Sequence, residues 1–408
     1  MSVSSEDDRV VAALLRWLEE GGAHISKVHV ASLGGGERGL RALDGIAPEE
    51  TLMRIPSRYV LTLEEARSSS IGRLLEAHAP TDEERVYLAA FLLQERERGE
   101  SSFWKPFLDS LPKSFPCLPF FYDERELSLL KGSFAPRLVR LLREWIEAQH
   151  AHLCQHVPGF ERFPFDAFMW AHFAVVTRTF SVLRSGAELA CLVPLADMIN
   201  DGRPWDVQWA MPEEGTHFEL KSKAAVAMDQ ELRTSYGRKS NLHLLVQYGF
   251  VHEENPYDDV MLVLGLPQED PRAAEKQRLL GLTAPFDLRS YTLSLTDEAG
   301  PMEEMLSFLR IAHADAEELA MLVAAPGASI RSRSPLSARN EQRVIDAFVT
   351  LCEEQLAGYE TVLAEDERIL REEKLSQNAR NCILVRRGEK RILHAYSARA
   401  QARRASQG

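Results

Sequence analysis

Cysteine is sparse and never grouped. The chain of 408 residues carries five, Cys117, Cys154, Cys191, Cys352 and Cys382, with no Cys-x-x-Cys spacing. Neither a disulfide framework nor a cysteine metal cluster is expected, and the thiols are read as buried. Long apolar runs are missing too: nothing approaches the roughly 20 residues that a membrane-crossing helix needs, so no membrane partner is expected. Positive charge is in short supply. Lys and Arg number 48 against 61 Asp and Glu, and a net charge of -13 would repel a polyanion. That disfavours nucleic acid as a ligand and favours encounters with Lys-rich protein surfaces. The N-terminal Met-Ser-Val-Ser-Ser-Glu-Asp-Asp-Arg is acidic, unlike a secretory signal or an Arg-rich transit peptide, and a cytoplasmic chain is expected, with the nucleus also open. Gly34-Gly35-Gly36 lacks the Gly-Lys-Ser/Thr ending of a phosphate loop, and no repeat of solenoid period occurs. What remains is the composition of an ordinary globular protein, long enough for two or three packed units.

Apolar residues at Val10, Val11, Leu14, Leu15 and Leu18 predict a helix over 10–20, stopped by Gly21-Gly22. Short strands follow at 28–32, 34–41 and 51–56, joined by Gly and Pro. From about Asp82 to Trp170 the pattern turns helical, with helices over 85–98 and 138–152 and a packed corner at Phe103–Pro112. Beyond Asn255-Pro256 the periodicity predicts helices over 272–280, 303–312, 317–324 and 340–370, the last with Val344, Phe348, Leu351, Cys352 and Tyr359 on one side. The tail after about Ser397 reads as dispensable.

Two segments carry the chemistry. Val193-Pro-Leu-Ala-Asp-Met-Ile-Asn200 holds an Asp and an Asn in an otherwise apolar run. Arg233-Thr-Ser-Tyr-Gly-Arg-Lys-Ser-Asn-Leu-His-Leu-Leu-Val-Gln-Tyr-Gly-Phe250 sets Tyr236 and Tyr248 around Ser240-Asn241. In this order the two segments resemble the C-terminal half of a SET methyltransferase domain. Phe103-Trp104, Leu111-Pro112 and Glu126–Gly132 resemble the helical insertion of the Rubisco large-subunit methyltransferase-like branch, which also includes actin-histidine methyltransferases. The helices past 256, with Gly388–Leu393, resemble that branch's substrate-binding domain.

The resemblance implies an α+β fold: SET β-structure over 1–255 with a helical insertion at about 82–170, an all-α C-terminal substrate-binding domain over 256–396, and a tail over 397–408. It implies S-adenosylmethionine (SAM) as cofactor, no metal, and a protein substrate taken by a monomer. Cofactor contacts would come from Arg38, Gly39 and Arg41 on a first loop, and from Ser70, Ile71 and Gly72 on a second stretch. Arg178 would lie near the SAM carboxylate. Asp197, Met198, Ile199, Asn200 and Asp201, then Gly249 and Phe250, complete the set. Tyr248 matches the catalytic tyrosine of the Tyr-Gly-Phe motif; Tyr236, Phe180, Ala196 and Tyr257 would line the target channel.

The residue types suit methyl transfer to an amine. A free lysine of pKa ~10.4 is neutral in only about one molecule in a few thousand at pH 7, and an apolar, aromatic slot beside a cationic cofactor lowers that pKa by desolvation and charge repulsion. Tyrosine rings tolerate a cation while the hydroxyl orients the amine. Protein-lysine N-methylation is therefore the expected activity. Histidine methylation and a non-catalytic SET-like interaction module are the alternatives. The histidine type carries Asn at the position of Phe180 and Trp at that of Ala196, so both positions resemble the lysine type. Most relatives have His where this chain has Asp201, and the expected consequence is weakened cofactor binding.

Overall fold

Three acidic residues, Glu6, Asp7 and Asp8, open the first helix, Glu6–Glu20, where negative charge meets the positive end of the helix dipole. Gly22 ends it with φ +85°, and Leu14 and Leu18 face inward. The computed structural model describes residues 6–34, 37–184, 187–212, 215–266, 270–282, 288–296, 300–324 and 334–407. Of the glycine triplet, Gly35 and Gly36 lie outside these. The chain divides into two compact units: Met1–Phe115 with Leu142–Gly237, and Pro116–Leu141 with Arg238–Gly408. The expected boundary near 255 therefore differs from the packing division. Residues 238–255, with Tyr248, and 116–141, from the helical insertion, pack with the C-terminal segment.

The first unit is built from small sheets. Thr51–Pro56 and His217–Ser222 pair antiparallel at the centre of a four-stranded sheet flanked by His24–Ile25 and Val207–Ala210. Val28–Gly34 and Glu37–Ala42 form a hairpin. Leu61–Thr62, Ala187–Leu192 and Phe180–Arg184 form a three-stranded sheet. A two-residue parallel ladder sets Asn200 opposite Arg233 and Asp201 opposite Thr234. Single bridges at Arg41–Glu231 and Ile46–Val226 tie distant segments together. Helix Glu84–Arg98 is buried continuously from Val86 to Glu95 and packs on Phe165–Val176, which is equally enclosed. Burial on every side is what a helix apolar all round requires.

The second unit corrects three expectations. The region beyond 256, expected as all-α, contains an antiparallel ladder of Asp259–Leu264 with Arg289–Ser294. The helix expected over 340–370 is two, Ala338–Ala357 and Leu363–Glu372, separated at Gly358. The tail expected beyond Ser397 continues helix Gln377–Gln407, with Ala400 in the core and Arg404 paired to Asp346 at 3.0 Å. Gly388 sits mid-helix because a Cβ there would stand 2.1 Å from Asp258 Oδ2.

Buried charge runs through this unit. Arg310 donates from Nε and Nη2 to the two oxygens of Glu341 at 2.7 Å each. Asp366 accepts from Arg386 Nε at 2.9 Å, Lys390 Nζ at 2.5 Å and Thr361 Oγ1 at 2.7 Å. Glu389 accepts from Ser133 Oγ and Tyr359 Oη, each at 2.8 Å. Desolvation pushes the Glu389 carboxyl up to about 8, and Asp258 up to about 7 by the same cause.

Both carboxyls hold protons more tightly folded than unfolded, so their ionisation opposes folding. Stability contributed by the protonated forms is present below about pH 4 and is lost as pH rises through 7 and 8, by on the order of a few kcal/mol. Thermal melts across pH 5–9 should show the midpoint falling as pH rises. Glu389→Gln, which cannot ionise, should flatten that slope.

Candidate functional site

The segment after strand Ala187–Leu192 is forced into a tight turn. Leu195 takes φ +71° and ψ -47°, a conformation that a branched side chain rarely adopts and that persists only where packing over-determines it. Here every residue from Val193 to Ile199 is buried. The turn places Asp197 in a short 3-10 helix, Ala196–Met198, with its carboxyl enclosed. Arg178 answers it from the end of helix Phe165–Val176. The Arg178 Nη1 donates to Asp197 Oδ2 at 2.9 Å and to the Asp197 carbonyl at 3.1 Å. Burial pushes the Asp197 carboxyl up, while Arg178, and Arg38 beyond it, pull it back. Asp197 Oδ1 and Arg178 Nε remain buried with no hydrogen-bond partner. Two oppositely polar groups left open in one place suit a zwitterionic ligand such as an amino acid, whose ammonium and carboxylate would meet them.

Asn200 closes the next contact. Its Nδ2 donates to the Arg38 carbonyl at 3.1 Å and to Glu231 Oε1 at 2.9 Å. A Cβ at Gly39 would lie 2.9 Å from that same amide nitrogen, so any larger residue would have to displace the Asn200 amide. Arg38 Nη2 donates to the Ser110 carbonyl at 2.7 Å. Arg41 bridges to Glu231 through the backbone. Tyr236 is gripped by the same stretch: its Oη donates to the Ile199 carbonyl at 2.8 Å and its backbone N–H to Asp201 Oδ1 at 2.6 Å. Arg38, Ile199, Asn200, Asp201 and Tyr236 thus form one bonded cluster, with Gly39 beside it and the Arg178–Asp197 pair in the same chain segment. Glu231, which sequence reasoning missed, joins its parts; the charged residue just ahead of the tyrosine segment was the only signal for it.

In the second unit Tyr248 is the last residue of helix Asn241–Tyr248, and Gly249, at φ +82°, caps it. A Cβ on Gly249 would stand 2.8 Å from the Cys117 carbonyl oxygen. The rings of Tyr248 and Phe250 are 6.1 Å apart. Asn241 anchors the helix start: its N–H donates to Asp258 Oδ1 at 2.9 Å, its Nδ2 to the His252 carbonyl at 2.9 Å, and its Oδ1 accepts from His252 N at 3.0 Å. Tyr257 lies under the Arg238 guanidinium, 4.8 Å from the ring centre.

Other expected site residues make their contacts elsewhere, or are buried in the turn itself. Ser70 Oγ and the Ile71 N–H both donate to Gln94 Oε1, at 2.5 and 2.8 Å, and Gly72 packs on the carbonyls of Ala66 and Arg67. Phe180 is buried against the rings of Trp209 and Phe218, with centres 5.2 and 5.4 Å away. Met198 and Ala196 are buried in the turn. Among the described residues, no group of His, Cys, Asp and Glu is arranged to hold a metal ion.

The fold and the bonded cluster define a class. The SET domain of LSMT, in a crystal structure with lysine and AdoHcy, matches 99% of this chain and 93% of that chain with a TM-score of 0.83 at 24% identity. Residues 267–393 match the family model described as Rubisco LSMT substrate-binding. Over 377 residues the chain is 30% identical to the chloroplastic fructose-bisphosphate aldolase-lysine N-methyltransferase of Arabidopsis thaliana, covering 87% of this chain and 75% of that protein. It is 26% identical over 408 residues to the actin-histidine N-methyltransferase of Callithrix jacchus, covering 93% of this chain and 66% of that one. The chain belongs to the SET-domain protein methyltransferases, in the branch of the Rubisco large-subunit methyltransferase-like proteins.

Removing one partner of an enclosed ion pair strands the other. Arg178→Met should cost about 3–5 kcal/mol in urea unfolding. Adding Asp197→Asn to it should recover most of that loss, because no charge is then left buried.

Proposed function

We propose that this protein is a SAM-dependent protein-lysine N-methyltransferase. The observation that carries the reading is the enclosed Arg178–Asp197 pair with one buried polar atom open on each side, in the same short segment as Ile199, whose carbonyl accepts the Tyr236 hydroxyl. Arg178 and Asp197 would hold the amino-acid end of the cofactor, and Asn200 and the Arg38–Gly39 strand its neighbouring polar groups. When bound, SAM supplies a methyl group on a sulfonium; the lone pair of an uncharged amine forms the new N–C bond as the S–C bond breaks with its electrons left on sulfur.

The chain's own residues must deliver that amine neutral and in line. Tyr236, half-buried and tied at its hydroxyl and its backbone, presents a fixed aromatic wall beside the cofactor segment. Its oxygen keeps acceptor capacity after donating to Ile199. Tyr248 is assigned the orienting hydroxyl at the amine, on the strength of its place in Tyr-Gly-Phe. The lysine proton leaves to solvent before transfer, aided by an apolar, cation-repelling slot.

Histidine methylation is the second reading, favoured by the 26% identity to an actin-histidine enzyme. Phe180 speaks against it: an imidazole needs a polar partner for its second nitrogen, and this position offers a ring packed among rings.

Labelled SAM and a cell extract test both readings. Mass spectrometry should find the methyl group on lysine, and histidine as the acceptor would replace the first reading by the second. Tyr248→Phe should lower turnover about 100-fold or more with SAM binding retained in calorimetry. Equal labelling by both proteins would remove Tyr248 from its role.

A further inference from the structure

The Arg233–Thr234 ladder ends two residues before Tyr236. Gly202 N–H still donates to the Thr234 carbonyl at 2.9 Å, one step past the two-residue ladder. Two residues on, the Asp201 carboxylate accepts the Tyr236 N–H at 2.6 Å. One residue earlier, Asn200 is tied to the Arg38 carbonyl and Glu231; two residues later, Arg203 Nη2 donates to the Gly237 carbonyl at 3.0 Å. Tyr236 is therefore held at two points, the hydroxyl by Ile199 and the backbone by Asp201, from a single three-residue stretch.

We infer that Asp201 is a positioning residue for Tyr236: its side chain fixes the tyrosine that faces the methyl acceptor, and it does not serve cofactor affinity. This replaces the sequence-based expectation that Asp201 weakens SAM binding, and it rests on the methyltransferase reading above. Asp201 spends its carboxylate on the neighbouring backbone, while the open polar atoms suited to a ligand belong to Arg178 and Asp197. Without the Asp201 bond the Tyr236 backbone loses a fixed tether close to the ring, and misplacement of about 1 Å is enough to slow an in-line transfer about 100-fold.

Two variants of the full chain test this. Asp201→Ala should lower kcat about 10- to 100-fold while the calorimetric Kd for SAM stays within about twofold of wild type. Asp201→Asn, whose Oδ1 accepts the same N–H, should restore turnover to within about threefold. Hydrogen exchange read by mass spectrometry on peptides covering 233–237 should be faster in Asp201→Ala than in wild type and slowed again in Asp201→Asn. Turnover of Asp201→Ala equal to wild type, a fall in SAM affinity that accounts for the lost turnover, or an Asn variant as impaired as the Ala variant would each overturn the assignment. If the wild type methylates no protein, the lysine reading fails by itself. The exchange measurement then decides on Asp201: protection lost with Ala and regained with Asn upholds the pin, and protection unchanged by Ala refutes it.

Discussion

A carboxylate sealed from water must be met by charge or give up its own, and Asp197 is met by Arg178. Much of the first unit follows from that pairing. The strained turn at Leu195 brings Asp197 inward, and the enclosure of Val193–Ile199 holds the strain in place. Thr177 and Thr179 hydroxyls bond back to the carbonyls of Phe173 and Val175, both at 2.6 Å, and so finish helix Phe165–Val176 at the point from which the Arg178 side chain reaches the aspartate. An isolated pair of this kind adds little stability compared with apolar residues of the same volume. Its two unsatisfied atoms, Asp197 Oδ1 and Arg178 Nε, are a cost that a scaffold protein has no reason to keep. A ligand that completes them turns the cost into affinity.

Next along the chain from this pair, side-chain bonds join distant segments. Asn200 and Asp201 are adjacent in the chain, yet their side chains go to different segments: one to the hairpin strand at Arg38 and to Glu231, the other to the backbone of Tyr236. Gly39 makes the first possible by leaving room for the amide. The segment proposed to bind the cofactor and the tyrosine proposed to face the acceptor are thereby fixed to each other within a span of a few residues, which is what an in-line transfer demands of its two reactants.

How much of this was legible in the sequence depended on the reach of each signal. Helices Glu6–Glu20 and Glu84–Arg98 and the hairpin at 28–42 were readable because their signals are local: apolar spacing, an acidic first turn, a glycine at the bend. The Asp259–Leu264 ladder was not, because half of it is the polar Arg-Ser-Tyr-Thr-Leu-Ser, which earns no strand reading until it is seen paired. Gly358 gives no break signal because the apolar spacing on both sides of it stays helical. The tail looked dispensable from its Ala, Arg and Gln content, and only the docking of Ala400 in the core shows why it is helical. At the site, motif residues were found by resemblance, whereas Glu231, Gln94 and the Ser110 carbonyl were not. Each acts from 24 to 72 positions away, and no spacing rule announces such a partner.

The second unit shows the same economy at Tyr248. Its position is set by the end of a helix, and that end is set by Gly249, the residue whose left-handed conformation and missing Cβ allow the Cys117 backbone to approach. Asn381 Nδ2 reaches the Gly249 carbonyl at 3.2 Å from the long C-terminal helix, and Asn241 ties the other end of the short helix to Asp258 and His252. Asp258 in turn fits against helix Gln377–Gln407 only because residue 388 is glycine. A tyrosine proposed to orient an amine is thus carried on eight residues braced at both ends by polar side chains, two of them buried asparagines whose amides have no apolar substitute of equal reach. Such bracing explains why the helical region must be folded for the tyrosine to be placed at all: remove the long helix, and both Gly249 and Asp258 lose the partners that define where Tyr248 stands.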